Sequence, residues 1–343
     1  VSLMCQHLEG YTLRGLRKRD YPPSLFYQQT WWEEYGRFND YFSRLGMLLT
    51  SGENAAEVLL LHPIKSGWVT YNGKNNPELK KLDEDFIWAT ETLSGMHVDH
   101  HYGDESIIAG HGRVDKDTFI IGQCSYKTVV IPSMVTLDAL TLELLCSFAG
   151  NGGLVISIGE FPVLCEGIEN AKLSELKNKA ELVGRETDKL HSLLKNRKVS
   201  IISISDKAGE ISSVRYMLRN AGDKKILYMV NQNQTEVYNA RVKIDGVWRA
   251  VKYSAETGDA RIIGCINENE ATVLSLEFLP MQSYIIILDS EETNYDPVDS
   301  KAIKNIIPSD EWVIEEMDSN SLTLDYCSYS IDNGEWMGPV PVI

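Results

Sequence analysis

The chain has 343 residues, of which 43% are hydrophobic and 24% charged, so it is a globular protein long enough for two or three domains. Its formal net charge of −16 argues against nucleic acid as a partner, because such binding depends on Lys and Arg side chains that neutralise phosphates. No apolar run approaches the roughly 20 residues of a membrane span, and no signal-peptide pattern opens the chain, so no membrane partner is expected.

The six cysteines are scattered along the chain and form no C-x-x-C pair, so neither a zinc site nor a redox motif is indicated. Reduced thiols are expected, and a cytoplasmic location is favoured, although a processed and exported longer protein would leave the same pattern. The compartment therefore stays open. Because the chain begins at Val1 rather than Met, we expect it to be cut from a longer protein.

Residues 1–52 combine an aromatic-rich loop with an amphipathic helix. From residue 31 to residue 50, apolar side chains recur at helical spacing, and Ser51-Gly52 provides a stop signal. The side chains that define the apolar face are Tyr35, Phe38, Phe42, Leu45 and Leu49.

Residues 53–206 alternate short apolar runs with helical patterns. Strand-like runs such as "EVLLLHP", "TFIIGQ", "KTVVIP" and "GGLVISIG" are separated by helical stretches such as "PELKKLDEDFIWATETL" and "LDALTLELLCSFAG". A polar helical stretch from about 171 to 196 and a last apolar run, "VSIISIS", complete the series. This alternation predicts a parallel sheet with helices on both faces. We therefore predict one doubly wound, flavodoxin-like α/β domain over these residues.

The pattern then changes from helical to alternating. In "VRYMLRNAGDKKILYMVNQ" apolar and polar residues alternate around an Ala-Gly-Asp turn, and further short strand-like runs follow at regular intervals. Many short strands without helices predict an all-β domain, a β-sandwich, over residues 207–290. Residues 291–343 are interpreted as a polar linker and the start of a further β module, in which Asn333-Gly334 marks a turn.

The N-terminal segment is the richest candidate binding region. Sugar sites combine flat aromatic faces with amides, arginines and carboxylates that bind hydroxyl groups. Alternatively, Trp31 and Tyr35 belong to a core and the arginines are solvated, and the residue types alone favour this simpler interpretation. The candidate carbohydrate-binding residues are His7, Tyr11, Arg17, Asp20, Tyr27, Gln28, Gln29 and Trp31.

A second cluster of polar residues lies in "HVDHHYGDESIIAGHG". Its His and acidic side chains lack the spacing of a coordination motif, so no metal site is predicted. Loops at the carboxyl ends of strands line the crevices of open α/β sheets, so Asp104, Glu105 and His111 are candidates for a site or a domain interface. A structural role in salt bridges is the simpler alternative.

Three stretches of the chain carry a resemblance to a known family. They are "RGLRKRDYPPSLFYQQTWW", which is the most distinctive, "GDESIIAGHG" and "YSAETGDA". With them the chain resembles the C-terminal part of large bacterial glycoside hydrolases of the α-L-rhamnosidase-like family 106 group. The resemblance implies that residues 1–52 end a catalytic (β/α) barrel. It also implies that the α/β domain is similar to the glutamine-amidotransferase-like or trimerisation domain of some β-galactosidases.

The same resemblance implies a parent enzyme that hydrolyses glycosidic bonds in plant-type or rhamnose-containing glycans with help from a calcium ion. No cofactor is expected in this chain itself. Glycosidases need a general acid and a second carboxylate roughly 5 to 9.5 Å apart, and a barrel of about 250 residues would supply them. No residue here matches the catalytic pair of the family, and the chain has no nucleotide-binding or nucleophile-elbow motif.

Three functional hypotheses follow from these patterns. The first is the non-catalytic C-terminal portion of a glycoside hydrolase, which supplies one wall of a sugar pocket and structural domains, with a homo-oligomer through the α/β domain expected by analogy only. The second is a self-standing carbohydrate-binding or interaction module, although Trp248 and a few tyrosines are the main aromatic residues of its β domain. The third is an α/β enzyme with its site around Asp104, Glu105 and His111.

Overall fold

A computed structural model of the protein describes residues 31–73, 76–197, 199, 202–290 and 326–341. The contacts of these residues divide them into two compact units. The first unit contains 31–50, Ala255–Asp259 and 326–341, and the second contains the described parts of Ser51–Ser254 and of 260–290.

The described residues contain seven α-helices and one short 3-10 helix, Trp32–Glu34. The longest α-helix begins at Pro77, directly after Asn76, whose side chain accepts hydrogen bonds from the backbone N–H groups of Glu78 and Leu79. The α-helices are α1 (Tyr35–Thr50), α2 (Ile64–Thr70), α3 (Pro77–Gly95), α4 (Glu105–His111), α5 (Ala139–Gly150), α6 (Ala171–Lys179) and α7 (Thr187–Asn196).

In chain order, the strands of the second unit divide into those up to residue 210, which are interspersed with helices, and those from residue 214 onward, which are not. The first group is β1 (Glu53–Asn54), β2 (Val58–Leu61), β3 (His100–Gly103), β4 (Gly112–Asp115), β5 (Thr118–Ile121), β6 (Cys124–Tyr126), β7 (Thr128–Ile131), β8 (Thr136–Leu137), β9 (Leu154–Ser157), β10 (Leu164–Cys165), β11 (Glu181–Leu182), β12 (Ile202–Asp206) and β13 (Gly209–Glu210). The second group is β14 (Val214–Ala221), β15 (Lys224–Asn231), β16 (Tyr238–Asp245), β17 (Arg249–Tyr253), β18 (Ala260–Ile263), β19 (Ile266–Glu268), β20 (Ala271–Phe278) and β21 (Ser283–Asp289), and the first unit adds β22 (Tyr326–Tyr329) and β23 (Met337–Pro341).

A five-stranded parallel sheet has the order β11-β9-β7-β2-β3. Counted along the chain, its strands therefore stand in the order 5-4-3-1-2. All four residues of β2, β7 and β9 are buried, which explains their continuous apolar runs in the sequence.

Helices cover both faces of this sheet, because successive side chains of a strand point to opposite faces. Leu59 and Leu61 of β2 share a core with side chains of α5 and α6, such as Phe148. Val58 and Leu60 share a second core with side chains of α3 and α7. The prediction of a mixed α/β fold is confirmed.

The second half of this unit consists of antiparallel strands. One sheet has the order β1-β14-β15-β21-β17-β18 and another the order β13-β12-β16-β20-β19. Side chains of both sheets form one core, to which Leu227 and Ile286 contribute from the first sheet and Val242 and Phe278 from the second. The Ala-Gly-Asp turn predicted from the sequence connects β14 to β15, and Gly222 there has a φ of 68°.

The first unit contains α1 and a β-hairpin. Arg44 of α1 donates hydrogen bonds to the carbonyl oxygens of Ala255 and Glu256, at 3.0 and 2.9 Å. In the hairpin, β22 pairs antiparallel with β23, and the predicted turn at Asn333 lies between them with a φ of 61°. Of the predicted linker and β module, residues 291–325 lie outside the described residues.

Three elements differ from the sequence-based prediction. The run "VSIISIS", expected to end the parallel sheet, forms β12, which pairs antiparallel with β16. The run "TFIIGQ" forms β5, which belongs to a separate three-stranded sheet with β4 and β6. The polar stretch 171–196 divides into α6 and α7, with β11 between them. For the two apolar runs the pattern predicts a strand correctly but contains no information about its partner, and for residues 171–196 the helical pattern does not indicate the strand between the two helices.

Among the helices of the described ranges, none combines the length and the apolar character that a bilayer span requires.

Candidate functional site

The predicted sugar-binding segment lies mostly outside the described residues. This applies to seven of its candidates, which are His7, Tyr11, Arg17, Asp20, Tyr27, Gln28 and Gln29. Trp31 is described and is 41% exposed, with its ring edge-on to Tyr35 at 6.0 Å between centroids.

Trp31 begins a row of aromatic side chains along α1. Trp32 stacks on Tyr35 at 5.3 Å, and Tyr35 stacks on Phe38 at 5.7 Å. Phe38, predicted to lie on the apolar face, is 47% exposed, whereas Leu45 and Leu49 are buried. The first half of the helix therefore presents open aromatic faces, and its second half is the buried part.

The carboxyl ends of β2, β3 and β7 bring a polar cluster together in the second unit. Lys65 follows β2, Glu105 follows β3, and Asp138 follows β7 by way of β8. Lys65 forms an ion pair with Asp138, and the backbone N–H of Asp138 donates to Glu105 Oε1 at 2.8 Å. Parallel strands end at the same edge of a sheet, so residues far apart in the sequence meet there.

Ser66 connects α2 to the chain around β8 at the same edge of the sheet. Its hydroxyl accepts hydrogen bonds from the backbone N–H groups of Val135 and Thr136, at 2.9 and 3.1 Å, and donates to the Thr136 carbonyl at 3.2 Å. Ser66 is fully buried. Its hydroxyl is thus used in tying α2 to β8.

Glu105 is fully buried at the start of α4. Burial raises the pKa of its carboxyl to about 7, although the Asp138 amide and the Lys65 ammonium oppose the rise. Its Oε2 atom has no hydrogen-bond partner among the described residues. The carboxyl group of Glu105 thus lies in the protein interior.

Asp104 and His111, the other two predicted residues, are not brought to Glu105 as a catalytic group. Asp104 caps α4 by accepting hydrogen bonds from the Ser106 and Ile107 N–H groups at 2.8 and 3.3 Å, and its bond with the Ser106 hydroxyl lowers the pKa of the Asp104 carboxyl. His111 is exposed at the other end of α4, about 9 Å along the helix axis from Glu105.

A second polar network at this edge escaped the sequence-based prediction. Asp85 of α3 is buried and accepts hydrogen bonds from the Ser133 hydroxyl and the Arg185 guanidinium. Ser133 also accepts the backbone N–H of Glu160 at 3.0 Å. The position of Ser133 just after a buried strand was the available signal, but its partners come from other elements.

The histidines of "HVDHHYGDESIIAGHG" diverge in the structure. His97 is fully buried between Glu210 Oε2 at 2.8 Å and the Val214 carbonyl at 2.9 Å, whereas His101 contacts the Tyr126 hydroxyl at 2.8 Å. The two ring nitrogens of His97 therefore contact groups from two different strands, Glu210 of β13 and Val214 of β14. His97 thereby joins the α/β part of the second unit to β13 and β14.

Metal-ligand geometry is not found in the part of the chain that the structure describes, where no group of three or more His, Cys, Asp or Glu side chains is placed to hold a metal ion. The calcium ion implied by the resemblance has no such side-chain donor set there. The five described cysteines are free thiols: Cys124, Cys146, Cys165, Cys265 and Cys327.

The comparisons with known proteins rest on the fold. No protein-family model matches the sequence, and no curated protein matches it significantly. The rhamnosidase from Novosphingobium sp. PP1Y is similar in structure, with a TM-score of 0.56 and 16% identity over 84% of this chain and 27% of that one.

Two β-galactosidases are similar as well. Gan42B, a GH42 β-galactosidase from G. stearothermophilus, has a TM-score of 0.53 and 10% identity over 76% of this chain and 44% of that one. The β-galactosidase from Bacillus circulans sp. alkalophilus has a TM-score of 0.51 and 12% identity over 76% of this chain and 45% of that one. The chain thus spans less than half the length of each of these three structures, and at these identities the likeness is one of fold.

Proposed function

We propose that the chain is a non-catalytic portion of a glycoside hydrolase acting on glycans, with rhamnosides as the first candidates. One observation carries the proposal: the fold likeness covers 76 to 84% of this chain but only 27 to 45% of the rhamnosidase and the two β-galactosidases. The chain corresponds in size to a part of such an enzyme, and the sequence resemblance implies that this part is C-terminal.

The proposed architecture has two named domains. The α/β part is flavodoxin-like, since its strand order along the chain, 2-1-3-4-5 from the opposite edge, is the order of that fold. The antiparallel part is a β-sandwich, supported by the core that its two sheets share. The limits 53–206 and 207–290 stay a prediction, and both β1 and β12 pair with strands of the antiparallel sheets. A homo-oligomer through the α/β domain stays a prediction, which measurement of the molecular mass in solution would test.

The non-catalytic role is supported by the chemistry of the carboxyl edge. A glycosidase needs two carboxyl groups that reach the scissile bond from either side. Glu105 is buried, Asp104 caps a helix, and Asp138 is paired with Lys65, so these three carboxylates are used within the fold. The alternative of an enzyme centred on Asp104, Glu105 and His111 is not favoured by this arrangement.

Hydrolysis of aryl glycosides tests the proposal. We expect no turnover of nitrophenyl α-L-rhamnoside or nitrophenyl β-D-galactoside by this chain alone, and turnover of at least one aryl glycoside by the longer protein. Turnover by the isolated chain would contradict the non-catalytic role. A longer protein that is folded but inactive on a broad panel of aryl glycosides and glycans would contradict the link to glycoside hydrolysis.

The pocket-wall role of residues 7–32 is tested at Trp31, the one candidate residue that is described. In the longer protein Trp31→Ala should lower kcat/KM with little change in melting temperature, because the indole is 41% exposed. Loss of one stacking partner should cost about 1 kcal/mol or more, which is about a fivefold loss. Trp68→Ala is a matched control, since Trp68 is 67% exposed on α2. Equal effects of the two substitutions would count against a specific sugar contact by Trp31.

A further inference from the structure

A polar cleft lies within the second unit, where the residues before β3 face β14 and β15. It consists of two adjoining cavities of about 300 and 200 Å³ that are both lined by Asp99 and Tyr216. The larger one is also lined by Glu91, Tyr102, Arg215 and Gln232, and the smaller one by Glu57, Asn220 and Lys225. We call the two together the Asp99 cleft.

Asp99 has an unmet hydrogen-bonding requirement in this cleft. Its Oδ2 atom is buried and has no partner among the described residues. Burial raises the pKa of the carboxyl to about 6, although the backbone N–H groups of His100 and Leu218 oppose the rise. Buried polar atoms almost always have partners, so a carboxyl group that lines two polar cavities and has an unpartnered oxygen indicates a donor from outside the chain.

The other charged groups of the cleft nearly balance one another. Arg215 forms an ion pair with Glu91, and Lys225 donates to the Asn220 side chain at 2.7 Å. Burial lowers the pKa of Lys225, and Glu57 opposes this change. With cationic and anionic groups on both sides, a ligand with a net charge would meet repulsion from one set. A neutral ligand that both donates and accepts hydrogen bonds fits best.

Tyr102 provides an apolar surface at the mouth of the larger cavity. It is 56% exposed, and its ring is held by Phe86 at 5.4 Å and by His100 at 5.7 Å. Tyr216 lies deeper and donates its hydroxyl to the His97 carbonyl at 3.2 Å. An exposed ring beside buried hydrogen-bonding groups is the combination that recognises the apolar face and the hydroxyls of a sugar ring.

We propose that the Asp99 cleft binds a neutral polyhydroxylated molecule of monosaccharide size, with a ligand hydroxyl donating to the Asp99 carboxyl group and a ring face against Tyr102. The larger cavity, at about 300 Å³, is at the lower end of the range for small-molecule pockets, so a single sugar ring fills it. This site lies at the amino ends of the parallel strands, away from the carboxyl edge. It is independent of the proposed hydrolase role.

Ligand titration of the purified chain tests this site. The probes are the methyl glycosides of rhamnose, galactose and glucose, measured by isothermal titration calorimetry and by saturation-transfer NMR. The wild-type chain should bind at least one of them, and Asp99→Asn should weaken that binding about tenfold or more, since a hydrogen bond to a charged group is lost. Asp117→Asn is the matched control, because Asp117 is an exposed residue paired with Lys127, and it should bind as the wild type does.

A second variant keeps the test decisive if Asp99→Asn does not fold. Gln232 is exposed at the cleft, so Gln232→Ala should fold normally and weaken binding several-fold. Three results would overturn the proposal. The first is no saturable binding of any glycoside at millimolar concentration, which would mean that ordered water alone binds Asp99. The second is unchanged affinity in both cleft variants. The third is stronger binding of phosphate or a simple ammonium ion than of the glycosides.

Discussion

Glu105 gives the sharpest prediction, because it is a fully buried carboxyl whose pKa is raised from 4.5 to about 7 by burial. A raised pKa means that the folded state holds a proton that the unfolded state has already lost. The stabilisation is therefore complete below about pH 4.5 and is lost as the pH rises through about 7. The size of the shift corresponds to about 3 kcal/mol in the free energy of unfolding.

Glu105→Gln removes this titration while its side-chain oxygen still accepts the Asp138 N–H. The difference in unfolding free energy, variant minus wild type, should rise by about 2 to 3 kcal/mol between pH 5 and pH 8. Urea unfolding at several pH values, followed by circular dichroism, measures this difference. Glu143→Gln, at an exposed position paired with Lys172, controls for the change in net charge. If the curves of wild type and Glu105→Gln run parallel from pH 5 to pH 8, the carboxyl is not the buried acid described above.

Two further substitutions test contacts between distant segments of the second unit. Glu210→Gln weakens the pair with buried His97 and should cost about 2 kcal/mol at pH 7 in urea unfolding, with a smaller difference at acid pH. Burial acts to raise the pKa of Glu210, but the His97 and Ser203 hydrogen bonds outweigh it and lower the value, so this stabilisation is present above pH 4.5 and lost as the pH falls further. Gly159→Ala would put a Cβ 2.5 Å from the Ser133 amide nitrogen. The clash should lower the free energy of unfolding by about 1 to 3 kcal/mol, as measured by thermal or urea unfolding. A variant as stable as the wild type would show that the backbone around residue 159 moves to make room.

Helices and strands are predictable from the sequence where the burial of the element itself determines its pattern of apolar residues. The strands β2, β7 and β9 consist mainly of apolar residues because helices cover both of their faces. The start of α3 is indicated by Asn76-Pro77, a capping residue followed by a proline at the first helical position. The partner of β12 was not predictable, because its ladder joins Ser205 to Arg241 across a long stretch of chain. Strand pairing of this kind depends on packing between distant segments and not on the pattern of either one.

The sequence predicts where the polar residues around Glu105 lie relative to the strands but not what each of them contacts. Asp104 and Glu105 are candidates because they follow a strand-like run, and in the structure they directly follow β3 at the carboxyl edge. Their roles depend on what surrounds them: Glu105 is enclosed by Asp138 and Lys65, which come from the start of α5 and from α2. For Asp99, the neighbours that enclose it come from β14, more than a hundred residues further along the chain. No local pattern contains that information.

The dense polar cluster around β3 illustrates why closeness in sequence is a weak guide to a site on a strand. Asp99 precedes β3 and Glu105 follows it, so the four residues of the strand alone separate the two by about 13 Å. One carboxyl faces the cleft beside β14 and the other the interior at the carboxyl edge. Because groups this far apart with no shared partner act independently, substitutions at Asp99 should change ligand binding without altering the pH effect of Glu105. The cluster in the sequence therefore represents two places with different chemistry, one at each end of a single strand.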